Sequence, residues 1–494
     1  MASRDLNRTR TRTRALAMTA VMALAVTVCP ATAASSEAQA PTGGLAWTAC
    51  GDGFECASLP VPLNYADPTS TNIHIGLLRL PAKNGAAKGS IVVNAGTQDA
   101  TGTAYVRYFA PAFTEMNREF DIIGLDTRGT GTSQPLVRCT TYEENHALEA
   151  PLSASQTLAD RGQRVREAHA LAAKCQERSA ALLPHLSSTT SARDLERLRI
   201  ALGEPGLRFI GLSGGAILGQ NYLKMFPKRV TAMVLDSPLD PEQYINDPFA
   251  FDIAQMQATE RTLDTFFRWC RNTPTQCAFG AGDPRGAFER LLAKTRQNRL
   301  DNPGRWDVVT DGSLIDYVGG AMLFPQNWPG FSQELAQIDA QPVPTVPLPS
   351  GDDRGFAQYY SQSCLDRALP KDLKPYDRQL LASLRSTRYL GGRYGYAEMK
   401  CQAWPATAAE RTSGPWRNPT RQPVLVVAAT DDPLAPFTHT QRVARRLHAD
   451  VVVLKASGHL QLGRTPCVDS TVRTFLSTGN APDLGLCAVP LPGH

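Results

Sequence analysis

Residues 207–225 read Leu207-Arg208-Phe209-Ile210-Gly211-Leu212-Ser213-Gly214-Gly215 and then Ala216 to Met225, a short apolar run, a glycine-flanked serine and a helical stretch in that order. Leu207 to Ile210 has the apolar, β-favouring character of a buried strand, and Ala216 to Met225 has helical character. Between them, Gly211-Leu212-Ser213-Gly214-Gly215 fits the Gly-x-Ser-x-Gly pattern, in which a tight strand-to-helix turn exposes a serine hydroxyl. A side chain at either flanking glycine would collide with a neighbouring strand or helix as the backbone takes that turn. The bland alternative is a glycine-rich joint that only connects two elements. The strand directly before and the helix directly after favour a nucleophile at Ser213.

A serine hydroxyl is a poor nucleophile at neutral pH and needs a base, itself oriented by an acid. On this kind of turn the expected chain order is Ser, Asp, His. Downstream, the strand-like run Val424 to Ala428 leads into Thr430-Asp431-Asp432-Pro433, and Val451 to Leu454 leads into Ser457-Gly458-His459. Both stretches fall at the carboxyl ends of strands, where parallel sheets place their sites. Of the eight histidines, His459 alone follows a strand and a glycine in this way; His439 and His448 fall in or near a helix and His494 is terminal. Asp432 is the preferred acid, with Asp431 expected to cap the loop.

Working outward, Ile91 to Asn94, Phe120 to Gly124 and Ala232 to Leu235 read as further buried strands, and Thr440 to Leu447 as a helix between the last two strands. Strand and helix alternating at this spacing predict an α/β fold, a mostly parallel sheet with helices on both faces. The stretch 241–417 breaks the rhythm. It is helical at Ala254 to Cys270 and Pro284 to Arg299, and proline-rich at Gln341 to Pro349, which reads as a linker or extended loop. The expected organisation is a core of residues 41–240 and 418–494 with a helical insertion over 241–417.

The first fourteen residues carry five arginines and one acid, and an apolar run from Ala15 to Cys29 follows. This is the layout of a signal peptide, with Ala31 and Ala33 offering a cleavage site that makes residues 1–33 the leader. Val26-Thr27-Val28 before Cys29 lacks the small residues of a lipoprotein site. The five arginines and Asp5 leave with the leader, so the net charge of +5 falls to about +1, too little clustered cation for a nucleic-acid partner. Charged residues make up 20% and hydrophobic ones 42%, which excludes a disordered chain. No later apolar run reaches the eighteen or so residues of a membrane span, so no stable membrane association is expected. Ten cysteines remain in five sequence-local couples, 50/56, 139/175, 270/277, 364/401 and 467/487. In an exported chain these read as disulfides pairing in that order. Without Cys-x-x-Cys or a histidine at ligand spacing, no metal site and no cofactor is expected.

Several stretches together resemble the secreted tripeptidyl and prolyl aminopeptidases of actinobacteria, serine peptidases of the α/β-hydrolase fold. They are Cys56 to Leu63, Asp126-Thr127-Arg128-Gly129-Thr130-Gly131, the serine turn, Val234-Leu235-Asp236, Asp240-Pro241, Asp432-Pro433, Gly458-His459 and Pro466-Cys467-Val468-Asp469. The resemblance implies Ser213 as nucleophile, His459 as general base and then acid, Asp432 as orienting carboxylate, and a helical cap over the site. It also implies an oxyanion hole from the backbone amides of Thr97 and Gly214. Here the chain departs from the pattern, with Asn94-Ala95-Gly96-Thr97-Gln98-Asp99 where relatives carry Gly-Gly-Pro-Gly, and Gly214 where tyrosine or tryptophan is common. The substrate expected is a small peptide or an ester. Three functions therefore stand: an aminopeptidase, an esterase or acyltransferase on small secreted metabolites, and a non-catalytic binding protein on a hydrolase scaffold. The oligomeric state stays open. Glu242, Asp247, Asp252 and Glu260 are candidates to meet a substrate amino group, against the plainer reading of a solvated helical face. Arg442, Arg445 and Arg446 are expected on exposed surface.

Overall fold

Ser90–Asn94 is buried along its whole length, as a run of apolar and β-branched residues in the middle of a sheet must be. The computed structural model describes residues 44–85, 87–96, 101–149, 151–303, 305, 307–345, 351–482, 486–489 and 491. The expected leader (residues 1–33), Thr97, and part of the proline-rich stretch lie outside the described residues. The strands are β1 (Thr48–Ala49), β2 (Glu55–Pro62), β3 (Asn72–Leu80), β4 (Ser90–Asn94), β5 (Asp121–Leu125), β6 (Leu207–Leu212), β7 (Val230–Asp236), β8 (Val424–Asp431), β9 (Asp450–Ser457) and β10 (Leu486–Ala488). They form one sheet in the order β1-β2-β3-β5-β4-β6-β7-β8-β9-β10. β1, β2 and β3 pair antiparallel and β3 meets β5 antiparallel; every pairing from β5 to β10 is parallel.

Alternate residues of these strands feed two cores. Ile91, Val93, Ile210, Leu212, Val427 and Leu454 face one side, where they meet the helices Gly102–Tyr108 and Pro466–Thr478 through Val106, Val472 and Phe475. Val92, Phe209, Met233, Leu235 and Val426 face the other, against the helices Ser188–Ala201, Gly215–Met225 and Phe437–Leu447. Both faces being covered is what a parallel sheet requires. The stretch Asp126 to Gly131 is a fastening after β5. Asp126, fully buried, accepts from the N–H and hydroxyl of both Thr103 and Thr132, while Arg128 forks onto Asp194 at 2.6 and 2.8 Å.

Between β7 and β8, the chain forms a largely helical layer that includes the long helix Pro248–Asn272 and the helix Pro284–Asp301, started by the side chains of Asp247 and Asp283. Phe266, Phe267, Trp269, Phe288, Trp328 and Phe331 form its own core. A second helical piece, Tyr142–Glu149 and Arg161–Ser179, enters between β5 and β6 and packs on this layer, with Leu171 and Cys175 in one cluster with Tyr360, Leu365 and Trp404. Buried ion pairs of Glu149 with Arg393 and Lys400, 2.6 and 2.5 Å, join the two. The five cysteine couples are bonded as 50–56, 139–175, 270–277, 364–401 and 467–487.

Of the arginine cluster, Arg445 is exposed as expected, but Arg442 and Arg446 are not plain surface. Arg442 and Arg446 both reach the fully buried carboxylate of Asp240, and Arg446 also reaches Glu242 at 3.1 Å. Asp240 starts the helix Pro241–Asn246 by accepting the Glu242 N–H. The first turn of the helical layer is thereby bolted to the core helix Phe437–Leu447, since a carboxylate this buried needs paired cations.

Candidate active site

Strand β6 delivers Ser213 into a turn that only its flanking glycines allow. A Cβ on Gly215 would stand 2.0 Å from the carbonyl oxygen of Asn94 in β4, and one on Gly211 would stand 2.7 Å from the carbonyl of Gly215. Ser213 sits at φ +52°, the left-handed region that a residue with a side chain enters at a cost. Its N–H donates to the carbonyl of Asp236 at 2.9 Å, and Gly214 begins the helix Gly215–Met225. The first N–H groups of a helix have no intrahelical acceptor and lie at the positive end of its dipole. Gly96, at φ +109°, lies against Gly214, its N–H donating to the side chain of Asn94 at 3.2 Å. Of the two expected oxyanion donors, Gly214 is thus at the turn, and Thr97 is outside the described residues.

The acid and base come from the ends of β8 and β9. His459 Nδ1 lies 3.0 Å from both carboxylate oxygens of Asp432, and both residues are buried. Asp432 Oδ1 also accepts the N–H groups of Leu434 and Ala435, 2.9 and 2.8 Å, which fixes the carboxylate. Asp431 faces elsewhere and accepts from the Ser457 hydroxyl at 2.7 Å. His459 Nε2, also buried, has no hydrogen-bond partner among the described residues. Burial by itself would lower the imidazole pKa, but the charges of Asp432 and Asp236 outweigh it and hold the value above that of an ordinary histidine.

The helical layer holds both loops from above. Gln255 Nε2 and Thr259 Oγ1 donate to the carbonyls of Leu434 and Pro433, 2.7 and 3.1 Å. The His459 N–H donates to the carbonyl of Leu323 at 2.8 Å. Gly458, at φ +112°, is where that contact is tightest, since a Cβ there would stand 2.6 Å from Pro325.

Of the four cap carboxylates, Asp247 is exposed, as the plainer reading has it, while Glu242, Asp252 and Glu260 are half-buried, and each has a partner within the fold. Asp247 caps a helix, Glu260 accepts the N–H groups of Arg388, Tyr389 and Leu390, Asp252 pairs with Arg367 at 2.5 Å, and Glu242 pairs with Arg446. The partners of Glu242, Asp252 and Glu260 come from more than a hundred positions away, so spacing along the chain could not show them; Asp247 caps locally, onto Ala250. Asn94, read as the end of a strand and a departure from a pattern, and Asp236, quoted only for resemblance, turn out to touch the site. A polar residue ending a buried strand was the available signal for both.

Two family models match the chain: one described as alpha/beta hydrolase fold over residues 94–293, the other as TAP-like protein over residues 387–487. The chain has the α/β-hydrolase fold. It is similar to the tripeptidyl aminopeptidase of Streptomyces lividans, 25% identical over 488 residues that cover 92% of this chain and 89% of that one. Serine protease Hip1 of Mycobacterium tuberculosis (strain ATCC 25618 / H37Rv) is 25% identical over 486 residues, 89% of this chain and 90% of that one. Carboxylesterase B of Mycobacterium tuberculosis (strain CDC 1551 / Oshkosh) is 27% identical over 462 residues, 88% and 86%. This α/β hydrolase is therefore a relative of enzymes named as peptidases and of one named as an esterase.

Proposed function

We propose that this hydrolase is a secreted serine aminopeptidase that releases short peptides or residues from peptide amino termini. The observation that supports the reading is a strained Ser213 turn on β6 and a buried His459–Asp432 pair whose loops are both tied to Asp236, in a chain similar to a tripeptidyl aminopeptidase along nearly its full length. Ser213 Oγ attacks the scissile carbonyl carbon while His459 Nε2 takes its proton. Asp432 holds Nδ1–H and stabilises the imidazolium. The oxyanion takes the Gly214 N–H and, by the resemblance, that of Thr97. Collapse breaks the C–N bond, His459 protonates the leaving amine, and water activated by His459 then cleaves the acyl-enzyme. The five disulfides support export, the leader at residues 1–33 supplies the route, and no described helix is long and apolar enough to cross a membrane.

A second reading, an esterase or acyltransferase on small metabolites, is favoured by the engagement of Glu242, Asp247, Asp252 and Glu260 in structural contacts and by similarity to a carboxylesterase. A panel of aminoacyl-, dipeptidyl- and tripeptidyl-nitroanilides beside nitrophenyl esters on the mature protein separates the two. Turnover of nitroanilides with a free amino end, lost on acetylating that end, is the expected result. Turnover of esters alone moves the assignment to the second reading, and failure of Ser213 to react with a fluorophosphonate leaves only a non-catalytic scaffold.

A further inference from the structure

Five consecutive backbone N–H groups around His459 all have acceptors, and the acceptors fall into two sets. Gly458 donates to the Asp431 carbonyl at 3.0 Å and His459 to the Leu323 carbonyl at 2.8 Å. The next three converge on the end of β7. Leu460 N–H donates to Ser237 Oγ at 3.1 Å, and Gln461 and Leu462 N–H each donate to Asp236 Oδ2 at 2.8 Å. Ser237 Oγ in turn donates to Asp236 Oδ1 at 3.1 Å. The main-chain carbonyl of the same Asp236 takes the Ser213 N–H. One fully buried residue thus touches the serine turn through its backbone and the histidine loop through its carboxylate.

Backbone strain marks the same place. Among the described residues, seven other than glycine have positive φ, and three of them are Ser213 (+52°), Ser237 (+50°) and Leu460 (+62°). Such conformations persist where the surroundings over-determine them, and here the surroundings are the bonds made by Asp236 and Ser237.

We propose that Asp236 is a positioning residue for the reaction: through Ser237 and residues 460–462 it sets where the imidazole stands relative to the Ser213 hydroxyl, and its buried charge favours the imidazolium formed when His459 takes the serine proton. The inference rests on Ser213 and His459 being nucleophile and base. Asp236 takes no proton in the step; the proton passes from Ser213 Oγ to His459 Nε2. The charged and titratable groups that interact with it are His459 and Arg464 on the loop after β9 and Tyr105 on the helix after β4; Asp432, on the loop after β8, in turn meets His459 and Arg464, and Asp469, on the helix Pro466–Thr478, meets Tyr105. Burial pushes the Asp236 carboxyl up to about 6 against the N–H groups of Leu462 and Gln461, so it carries its charge at pH 8.

The test compares Asp236→Asn and Ser237→Gly with wild type in the mature protein, with active sites counted by labelling to completion with a fluorophosphonate. Asp236→Asn should lower kcat per labelled site by about 10–100-fold with KM within about threefold, the cost of a misplaced base. It should also move the acid limb of kcat/KM to lower pH, because a negative charge that favours the imidazolium is gone. Ser237→Gly keeps that charge and suits φ +50°; it should lower kcat per site by about threefold or more and leave the acid limb in place. A merely structural Asp236 would reduce Tm and the number of labelled sites, with kcat per site and acid limb at wild-type values, and that result overturns the proposal. If Asp236→Asn yields no folded protein, a wild-type kcat per site in Ser237→Gly overturns it instead. Wild-type protein that does not label removes the Ser213–His459 reading itself, and the inference with it.

Discussion

Asp431 and Asp432 are adjacent, yet their carboxylates do different work. Asp432 meets His459 Nδ1 and two loop N–H groups, whereas Asp431 meets only the hydroxyl of Ser457 in the contacts the structure shows. The pair therefore forms an internal control for the proposed site. Ser213→Ala and His459→Ala should each cost several orders of magnitude in kcat, and the double variant little more, because the parts act as a unit. Asp432→Asn should cost up to about 10⁴-fold, since the imidazole loses its orienting acceptor, while Asp431→Asn should stay within about threefold, because its carboxylate meets the Ser457 hydroxyl, which an amide can also meet, and not the imidazole. Steady-state kinetics on the four variants checks the order. The pH dependence follows from the same surroundings. A base must be neutral to take a proton, and Asp432 and Asp236 stabilise the charged imidazole more than burial destabilises it. The acid limb of kcat/KM should therefore lie above the ordinary histidine value of about 6.5, with activity lost as pH falls through it. A pH–rate profile of the free enzyme reads this directly.

At the scale of elements, the serine turn is a matter of how closely a helix and two strands approach. β6 hands directly to the helix Gly215–Met225, whose first residue rests on the Asn94 carbonyl of neighbouring β4. Gly215→Ala pushes a methyl group to within 2.0 Å of that oxygen. Because the obstacle is backbone in a sheet centre, little can yield, and the substitution should destabilise by about 3 kcal/mol or more, measured by denaturant unfolding. Gly458 is constrained differently. There the obstacle is Pro325 of the helical layer, so the same change strains the seat of the histidine loop beneath that layer and not the sheet.

For the whole molecule, the helical layer is assembled from two distant pieces of chain, and covalent bonds hold each. Cys139–Cys175 closes 36 residues of the piece between β5 and β6, and Cys364–Cys401 closes 37 residues of the larger one. The other three bridges close 6, 7 and 20 residues. Longer loops lose more freedom in the unfolded chain when closed, so serine replacements at either long bridge should lower stability by about 3–4 kcal/mol, and at the two shortest by less. Thermal melts of the paired variants, with and without reductant for the wild type, test the ranking. A large loss on reduction would fit a protein that works outside the cell, where such bonds persist.

The strands β4 to β9, the serine turn and the positions of His459 and Asp432 were legible because each is a local pattern. A buried parallel strand must be apolar throughout, a tight turn against a sheet must have glycine, and a site at strand ends follows the order of elements. The pairing of cysteines close in sequence is legible for the same reason. The antiparallel start of the sheet, β1 to β3, is not legible because a two-residue edge strand, a half-buried β2 with two prolines and a β3 with polar positions carry a weak signal. What only the tertiary structure decided are the contacts between residues far apart in the chain. Arg442 and Arg446 look like surface until Asp240 is found beneath them, Asp252 looks solvated until Arg367 reaches it, and Asp236 looks like the last residue of a strand until residues 460–462 fold onto its carboxylate. A buried charge is tolerated only with its partners, and for these residues the partners stand more than a hundred positions away, where no local pattern can point to them.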